Sequence, residues 1–117
     1  MSYVYEIDGE TVWSPALRVG QIYEGYIATL SRSLGRPTGF RGNPSDHVMI
    51  DPEVFVDFVL RLLSATNGHP ILAQQIDAVM GPSVVMLERS GTTIHATTPQ
   101  EARLLDRARM AASSMPV

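Results

Sequence analysis

The chain has 117 residues and a formal net charge of −3, from nine arginines against twelve acidic residues, with no lysine and no cysteine. A hydrophobic fraction of 44% excludes an intrinsically disordered chain. The length predicts a single domain spanning residues 1–117. Without lysine, Schiff-base chemistry and a P-loop are excluded. Without cysteine, a disulfide framework, a thiolate zinc site and a cysteine nucleophile are excluded.

The charge pattern also narrows the class of partner. A nucleic-acid binder carries a basic footprint and a membrane-surface helix carries a Lys/Arg-rich face, and neither pattern occurs here, so neither partner is expected. The amino terminus lacks the basic and apolar regions of a signal peptide. The longest strongly apolar stretch, residues 54–63, is too short to cross a bilayer. Together with the absence of cysteine, these features predict a cytoplasmic protein.

Alternating residues predict a hairpin at the amino terminus. Tyr3 to Ile7 alternate, Asp8-Gly9 suits a tight turn, and Thr11 to Trp13 form the returning strand. Ser14-Pro15 has the residue types that begin a helix. After it, spacings of three and four predict one wide apolar stripe, formed by Val19, Ile22, Tyr23, Tyr26, Ile27, Leu30 and Leu34.

Three glycines belong to this first helix. Gly35 provides the left-handed residue that ends it. Gly20 and Gly25 lie inside it, where each disfavours the helix by about 1 kcal/mol relative to alanine. Both therefore indicate the close approach of another backbone.

The middle of the chain combines a loop, a short strand and the start of a second helix. Residues 36–46 are rich in proline and glycine and predict a long loop of the kind that is often functional or mobile. His47 to Ile50 predicts a short strand. Asp51-Pro52 begins a second helix, whose apolar residues within 54–63 are expected to make it the most buried.

His69-Pro70 begins a third helical segment, which Gly81-Pro82 breaks or kinks. Residues 83–88 fit either a buried strand or the last turns of a kinked helix, because periodicity cannot decide over so short a run. Thr92 to Thr97 alternates and predicts an edge strand.

The run Thr98-Pro99-Gln100-Glu101 is a capping box that begins the last helix. Residues 113–117 are expected to fray. The elements together predict an α+β fold: a small antiparallel sheet, made of the amino-terminal hairpin and one or two further strands, packs against about four helices.

The three histidines do not form a recognisable metal or catalytic motif. His47, His69 and His95 lack the i, i+4 spacing of a helical metal site. Ser45, Asp46 and His47 are consecutive, and consecutive side chains seldom converge as a catalytic group. We therefore interpret the histidines as turn and cap residues, and we expect no metal and no cofactor.

The loop that follows Gly35 carries two further alternatives. Arg36 and Arg41 among glycines would hold an anion through guanidinium and amide groups, or would remain on a solvated loop. Phe40, between Gly39 and Arg41, is either an exposed anchor for a protein partner or folds back over the core. Arginines of the last helix, such as Arg103 and Arg107, indicate a solvated face with ion pairs.

Several short motifs resemble those of a family of small uncharacterised actinobacterial proteins, over roughly residues 3 to 91. They are Trp13-Ser14-Pro15 within the run Thr11 to Gly20, Ile50-Asp51 ahead of Phe55 and Phe58, His69-Pro70, and Glu88-Arg89-Ser90-Gly91. The resemblance implies no activity and no catalytic residues. It implies a cytoplasmic protein from a high-GC bacterium, in agreement with the absence of lysine.

Two functions follow from these observations. The first is a small non-catalytic binding protein, of the immunity or accessory-factor type, that acts through a protein partner and would form a homodimer. The second is a small enzyme or ligand-binding protein with an apolar pocket, whose lining would be Tyr5, Trp13, Tyr26, His47, Asp51, His69 and Glu88. The residues singled out for partner or ligand binding are Trp13, Phe40, Arg41, His47, His69 and Glu88.

Overall fold

The fold begins with the predicted hairpin. A computed structural model describes residues 3–42 and 46–117, so Ser45 lies outside the described residues. Strands β1 (Val4–Ile7) and β2 (Glu10–Trp13) pair antiparallel. Asp8 and Gly9 have φ angles of 53° and 80°, the left-handed conformation that a tight two-residue turn requires.

The sheet is mixed, so the prediction of an antiparallel sheet is wrong for its central pair. Strands β3 (Phe40–Gly42) and β4 (His47–Ile50) pair antiparallel, and the strand order is β2-β1-β4-β3. β1 and β4 run parallel, because a long stretch of chain that includes a helix separates them, as a parallel connection requires. The expected strand at His47 is confirmed, and β3 lies inside the segment that predicted only a loop.

Four helices follow the α+β prediction: α1 (Leu17–Leu34), α2 (Pro52–Ala65), α3 (Pro70–Arg89) and α4 (Pro99–Arg109), with a 3-10 helix at Met110–Ser114. One face of the sheet is covered: alternate residues of β1 and β4 are buried, whereas β2 buries the neighbouring residues Val12 and Trp13. The sheet contributes Tyr5, Ile7, Val12, Trp13, Val48 and Ile50 to the core, and α2 contributes Phe55, Phe58, Val59, Leu62 and Leu63.

Three of the four predicted helix starts are confirmed. α3 begins at Pro70, as His69-Pro70 predicts. The Asp51 carboxylate accepts from the backbone N–H groups of Glu53 and Val54, and the Thr98 hydroxyl accepts from that of Glu101. The start at Ser14 is wrong. α1 begins at Leu17, and the Ser14 N–H instead donates to the carbonyl of Pro116 at 2.7 Å.

α3 continues through Gly81-Pro82, so of the alternatives left open by the sequence the break is excluded, and residues 83–88 are the last turns of a helix and not a strand. A proline inside a helix removes one backbone hydrogen bond, but Ser83 to Leu87 are all buried, which offsets that loss. Gly81 has a packing role. A Cβ added there would lie 2.9 Å from the Cβ of Ala111, so glycine lets the 3-10 helix approach α3.

The segment Thr92 to Thr97 is not a strand. It is held by side chains: the Ile94 N–H donates to the Glu88 carboxylate at 3.3 Å, and the Arg109 guanidinium donates to the Ile94 carbonyl at 2.7 Å. The Ile94 side chain is buried. The alternation that predicted an edge strand therefore reflects one anchoring residue in a loop.

The carboxyl-terminal residues are docked, so the expected fraying is wrong. Met115 is buried, and the exposed Arg89 donates hydrogen bonds to the carbonyls of Val12, Ala112 and Met115. With the bond from Ser14 to Pro116, these contacts hold the last residues beside β2. The tail thereby covers part of an edge strand that would otherwise present free backbone groups.

Candidate functional site

Two of the candidate binding residues are core aromatics. Trp13 is 3% exposed, and its ring stacks on Tyr5 at a centroid distance of 5.3 Å. Phe40 lies 4.9 Å from Phe55 and 6.0 Å from Tyr5 between ring centroids. Of the two alternatives for Phe40, the structure shows the one in which the ring folds back onto the core.

Glu88 and His69 lie near opposite ends of α3, about 28 Å apart at 1.5 Å per residue. Glu88 accepts a bidentate hydrogen bond from Arg109, with distances of 2.9–3.2 Å. This guanidinium bond is the main reason that the pKa of Glu88 is lowered. The carboxylate thus holds α4 and the loop at Ile94 against α3, while His69 is exposed at the start of that helix.

Arg41 and His47 do share a surface, the uncovered face of the sheet. The His47 Nε2 atom lies 2.7 Å from a carboxylate oxygen of Glu6 on the neighbouring strand. Arg41 is opposite Met49 in the register, is exposed, and makes no hydrogen bond or ion pair to any described residue. Beside it is an open groove of about 530 Å³, whose lining includes Asp8, Asp51 and Glu53.

The side chains proposed to line an apolar pocket are not brought together. Tyr5 and Trp13 are in the core and Tyr26 is exposed on α1, while Asp51 caps α2. Among residues 3–42 and 46–117, no group of three metal-ligating side chains comes together.

Two tyrosines of the core make polar contacts across the fold. The Tyr5 hydroxyl donates to Glu24 at 2.8 Å, and the hydroxyls of Tyr23 and Ser83 lie 2.7 Å apart. Burial raises the pKa of both tyrosines. Burial also raises the pKa of Glu24, against the opposing effect of the hydrogen bond from Tyr5. These contacts position α1 on the sheet and on α3.

The surface of α1 differs most from the sequence prediction. The predicted stripe is only partly buried: Tyr23, Ile27 and Leu30 enter the core, whereas Val19, Ile22 and Tyr26 are 50%, 56% and 48% exposed. These three lie at i, i+3 and i+7, so they form one line along the helix. We define the α1 face as Val19, Ile22, Gly25, Tyr26, Ala28 and Thr29, all exposed.

No exposed charge interrupts the α1 face. From Val19 to Ser31 the only charged side chain is Glu24, and it is half-buried and bonded to Tyr5. Solvent-facing helix surfaces are usually polar or charged. An uncharged helix surface with three half-exposed large apolar side chains is typical of a protein-binding surface.

The two glycines inside α1 differ in what surrounds them. A Cβ at Gly20 would lie 2.3 Å from the Tyr3 ring, so Gly20 is required by a contact within the chain, although with a side chain and not with a backbone. A Cβ at Gly25 would meet nothing within 4 Å. Gly25 therefore weakens the helix by about 1 kcal/mol without any benefit from the described residues.

Two arginines flank the α1 face. Arg18 and Arg32 are both exposed. Arg18 has no hydrogen bond or ion pair with the described part of the chain, and Arg32 makes one long hydrogen bond to Thr29 at 3.4 Å. Arg18 lies in the first turn, where the helix dipole disfavours a cation. The two positions are separated by about 21 Å along the helix.

The family comparison covers the whole fold. A model of a family of unknown function, DUF6086, matches residues 1–117. The chain belongs to this family. No curated protein and no solved structure matches it. Membership in DUF6086 confirms the resemblance to an uncharacterised family, and it assigns neither an activity nor functional residues.

Among the described residues, one helix, α3, has the length and hydropathy of a membrane span. It is not the apolar stretch 54–63, which the sequence analysis found too short to cross a bilayer. Its apolar window has a mean hydropathy of 1.2, and half of that window is buried within the fold. The core helix of a globular protein has the same properties.

Proposed function

We propose that this protein is a small non-catalytic binding protein and that the α1 face is where its protein partner docks. The observation that carries the proposal is the line of half-exposed apolar side chains at Val19, Ile22 and Tyr26 on a helix surface without exposed charge. Gly25 supports it independently, because a glycine with free space around it permits the backbone of a partner to approach closely.

The same surface is poorly suited to other tasks. It carries no pair of titratable groups, and its residues line none of the grooves described here, so it offers neither a general acid–base pair nor an enclosed site. A partner helix lying along it would bury apolar side chains at i, i+3 and i+7, which is a common mode of peptide recognition. The proposal retains a cytoplasmic location and an actinobacterial source, for which the amino-acid composition is the support.

The ligand-binding alternative has one observation in its favour, the groove beside Arg41. The Arg41 guanidinium, which has no partner among residues 3–42 and 46–117, would hold an anionic group of a small molecule next to Met49. The carboxylates of Asp8 and Glu53 in the same groove oppose an anion. This alternative is therefore the weaker one.

The test uses single cysteines, for which the cysteine-free chain is the ideal background. Ala28→Cys places a thiol in the α1 face, and Ala102→Cys places one on the exposed side of α4 as a matched control. The rate of maleimide labelling is measured for each variant in dilute pure solution and in dialysed extract of the source cells. We expect the extract to slow labelling at position 28 at least fivefold and to leave position 102 unchanged.

Equal labelling rates at position 28 in buffer and in extract would refute the proposal. Protection of position 28 that is present in undialysed extract and disappears on dialysis would mean that a small molecule covers the α1 face, because only small molecules are removed, and would also refute the proposal. A further variant, Ile22→Arg in the Ala28→Cys background, should restore fast labelling if the apolar side chain contributes to docking. Its thermal unfolding should be nearly unchanged, since Ile22 is more than half exposed.

A further inference from the structure

The charges around the α1 face indicate what kind of surface covers it. Arg18 and Arg32 are 14 positions apart, so their side chains are separated by only about 40° around the helix axis, and both project on the exposed side. The surface between them has no exposed charge. The chain as a whole is acidic, with a net charge of −3. The α1 face is thus a locally basic region of an acidic protein.

Neither arginine is explained by contacts within the fold. Arg18 has no partner among the described residues and lies at the end of α1 where the helix dipole opposes it. Arg32 does lie at the favourable end of the helix, but its bond to Thr29 is long and exposed and stabilises little. By contrast, Arg89 and Arg109 each donate several bonds inside the molecule.

We propose that the occupant of the α1 face is an amphipathic helix of another protein, with an apolar stripe that packs over Ile22 and Gly25 and with carboxylates near both ends that pair with Arg18 and Arg32. This inference rests on the proposed function, because it specifies the partner of the same surface. The chemistry is complementary at each step: apolar against apolar, a small residue beneath the crossing point, and anions opposite two arginines that form no ion pair with the described residues.

A second copy of this chain fits the same surface less well. Two α1 helices packed antiparallel about their centres would bring Arg18 of one copy close to Arg32 of the other at both ends, and like charges in opposition disfavour association. An acidic helix avoids the repulsion and adds two ion pairs.

The experiment reverses the charges without identifying the partner beforehand. The Ala28→Cys labelling assay in dialysed extract is repeated with Arg18→Glu and Arg32→Glu together. The matched control carries Arg61→Glu and Arg103→Glu, which are exposed elsewhere and change the net charge by the same amount. We expect the first pair to abolish the protection, so that labelling at position 28 becomes at least fivefold faster in extract. The control pair should leave the protection intact. Arg18→Lys with Arg32→Lys should also retain most of the protection, because the charges are kept.

Each outcome decides the inference separately from the proposed function. Protection that survives the Arg18 and Arg32 reversal means that a partner docks without acidic groups, which refutes the inference and leaves the docking surface in place. Protection that appears in pure protein at the concentration present in the extract identifies a second copy as the occupant, which also refutes it. The inference is supported if the Arg18→Glu, Arg32→Glu variant loses protection while the control pair keeps it, and if pure protein at the concentration present in the extract shows no protection.

Discussion

The two glycines inside α1 lead to a paired prediction with opposite signs. Gly20→Ala should destabilise the protein, because the new Cβ would lie 2.3 Å from the Cδ2 atom and 2.5 Å from the Cγ atom of Tyr3. Overpacking of this kind typically costs about 1–3 kcal/mol. Gly25→Ala adds a Cβ to free space and should stabilise the helix by about 1 kcal/mol.

The magnitudes follow from the same helix propensity at both sites. Gly20→Ala gains about 1 kcal/mol from propensity and loses more to the Tyr3 contact, so the net free energy of unfolding should fall by up to about 2 kcal/mol. Gly25→Ala should raise the melting temperature by about 3–6 °C for a domain of this size. Urea unfolding of the purified variants, monitored by circular dichroism, measures both changes.

A control identifies the cause. In a Tyr3→Gly background neither the ring nor the Cβ of residue 3 remains, so Gly20→Ala should become stabilising like Gly25→Ala. If Gly20→Ala and Gly25→Ala shift the unfolding midpoint in the same direction in the unmodified chain, the packing of Tyr3 on α1 is refuted. If Gly25→Ala also weakens protection of the α1 face in extract while it stabilises the free protein, glycine at this position is retained for the partner.

Four further perturbations test the contacts that hold the fold. Glu24→Gln should stabilise the protein at neutral pH, because burial raises the pKa of Glu24 above 4.5 and its contribution to stability is lost as the pH rises through that raised value. Glu101→Gln should lower stability by about 2 kcal/mol at neutral pH and by less below pH 4.5. Burial alone would raise the pKa of Glu101, but its hydrogen bonds lower it, so its contribution to stability is lost as the pH falls. For both carboxyl variants, unfolding curves measured from pH 3 to 8 that show the same effect at every pH would contradict the reasoning. Arg89→Met should release the docked carboxyl terminus, seen as at least tenfold faster amide exchange in its last residues, and unchanged exchange there would count against the clamp. Ser83→Ala should cost about 1–2 kcal/mol in thermal unfolding by leaving the Tyr23 hydroxyl buried without a partner, whereas a neutral result would show that this bond contributes nothing.

The α1 face shows how sequence patterns can mislead about function. The candidates chosen from the sequence were residues with reactive or aromatic side chains, and several of them have structural roles: Trp13 and Phe40 in the core, and Glu88 in the bidentate pair with Arg109. The signal that pointed to the surface was Gly25, which the sequence already marked as a position of close approach. Without the structure, Gly20 carried the same signal and could not be distinguished from it.

Local hydrogen bonding is what the sequence by itself determined. The turn at Asp8-Gly9 and the caps at Asp51 and Thr98 depend on atoms within three or four residues of each other. Their geometry is therefore fixed by neighbouring residue types, whatever the rest of the chain does. For the same reason the helical periods and the α+β class were predictable.

Only the tertiary structure decided which surfaces are buried. The stripe on α1 is wider than the area that the sheet and α3 cover, so three of its apolar residues remain exposed. Packing also carries α3 through Pro82 and ties the carboxyl terminus to β2 through Arg89. These outcomes depend on contacts between residues far apart in the chain, whose free energies exceed the local preferences for a helix break or a frayed end.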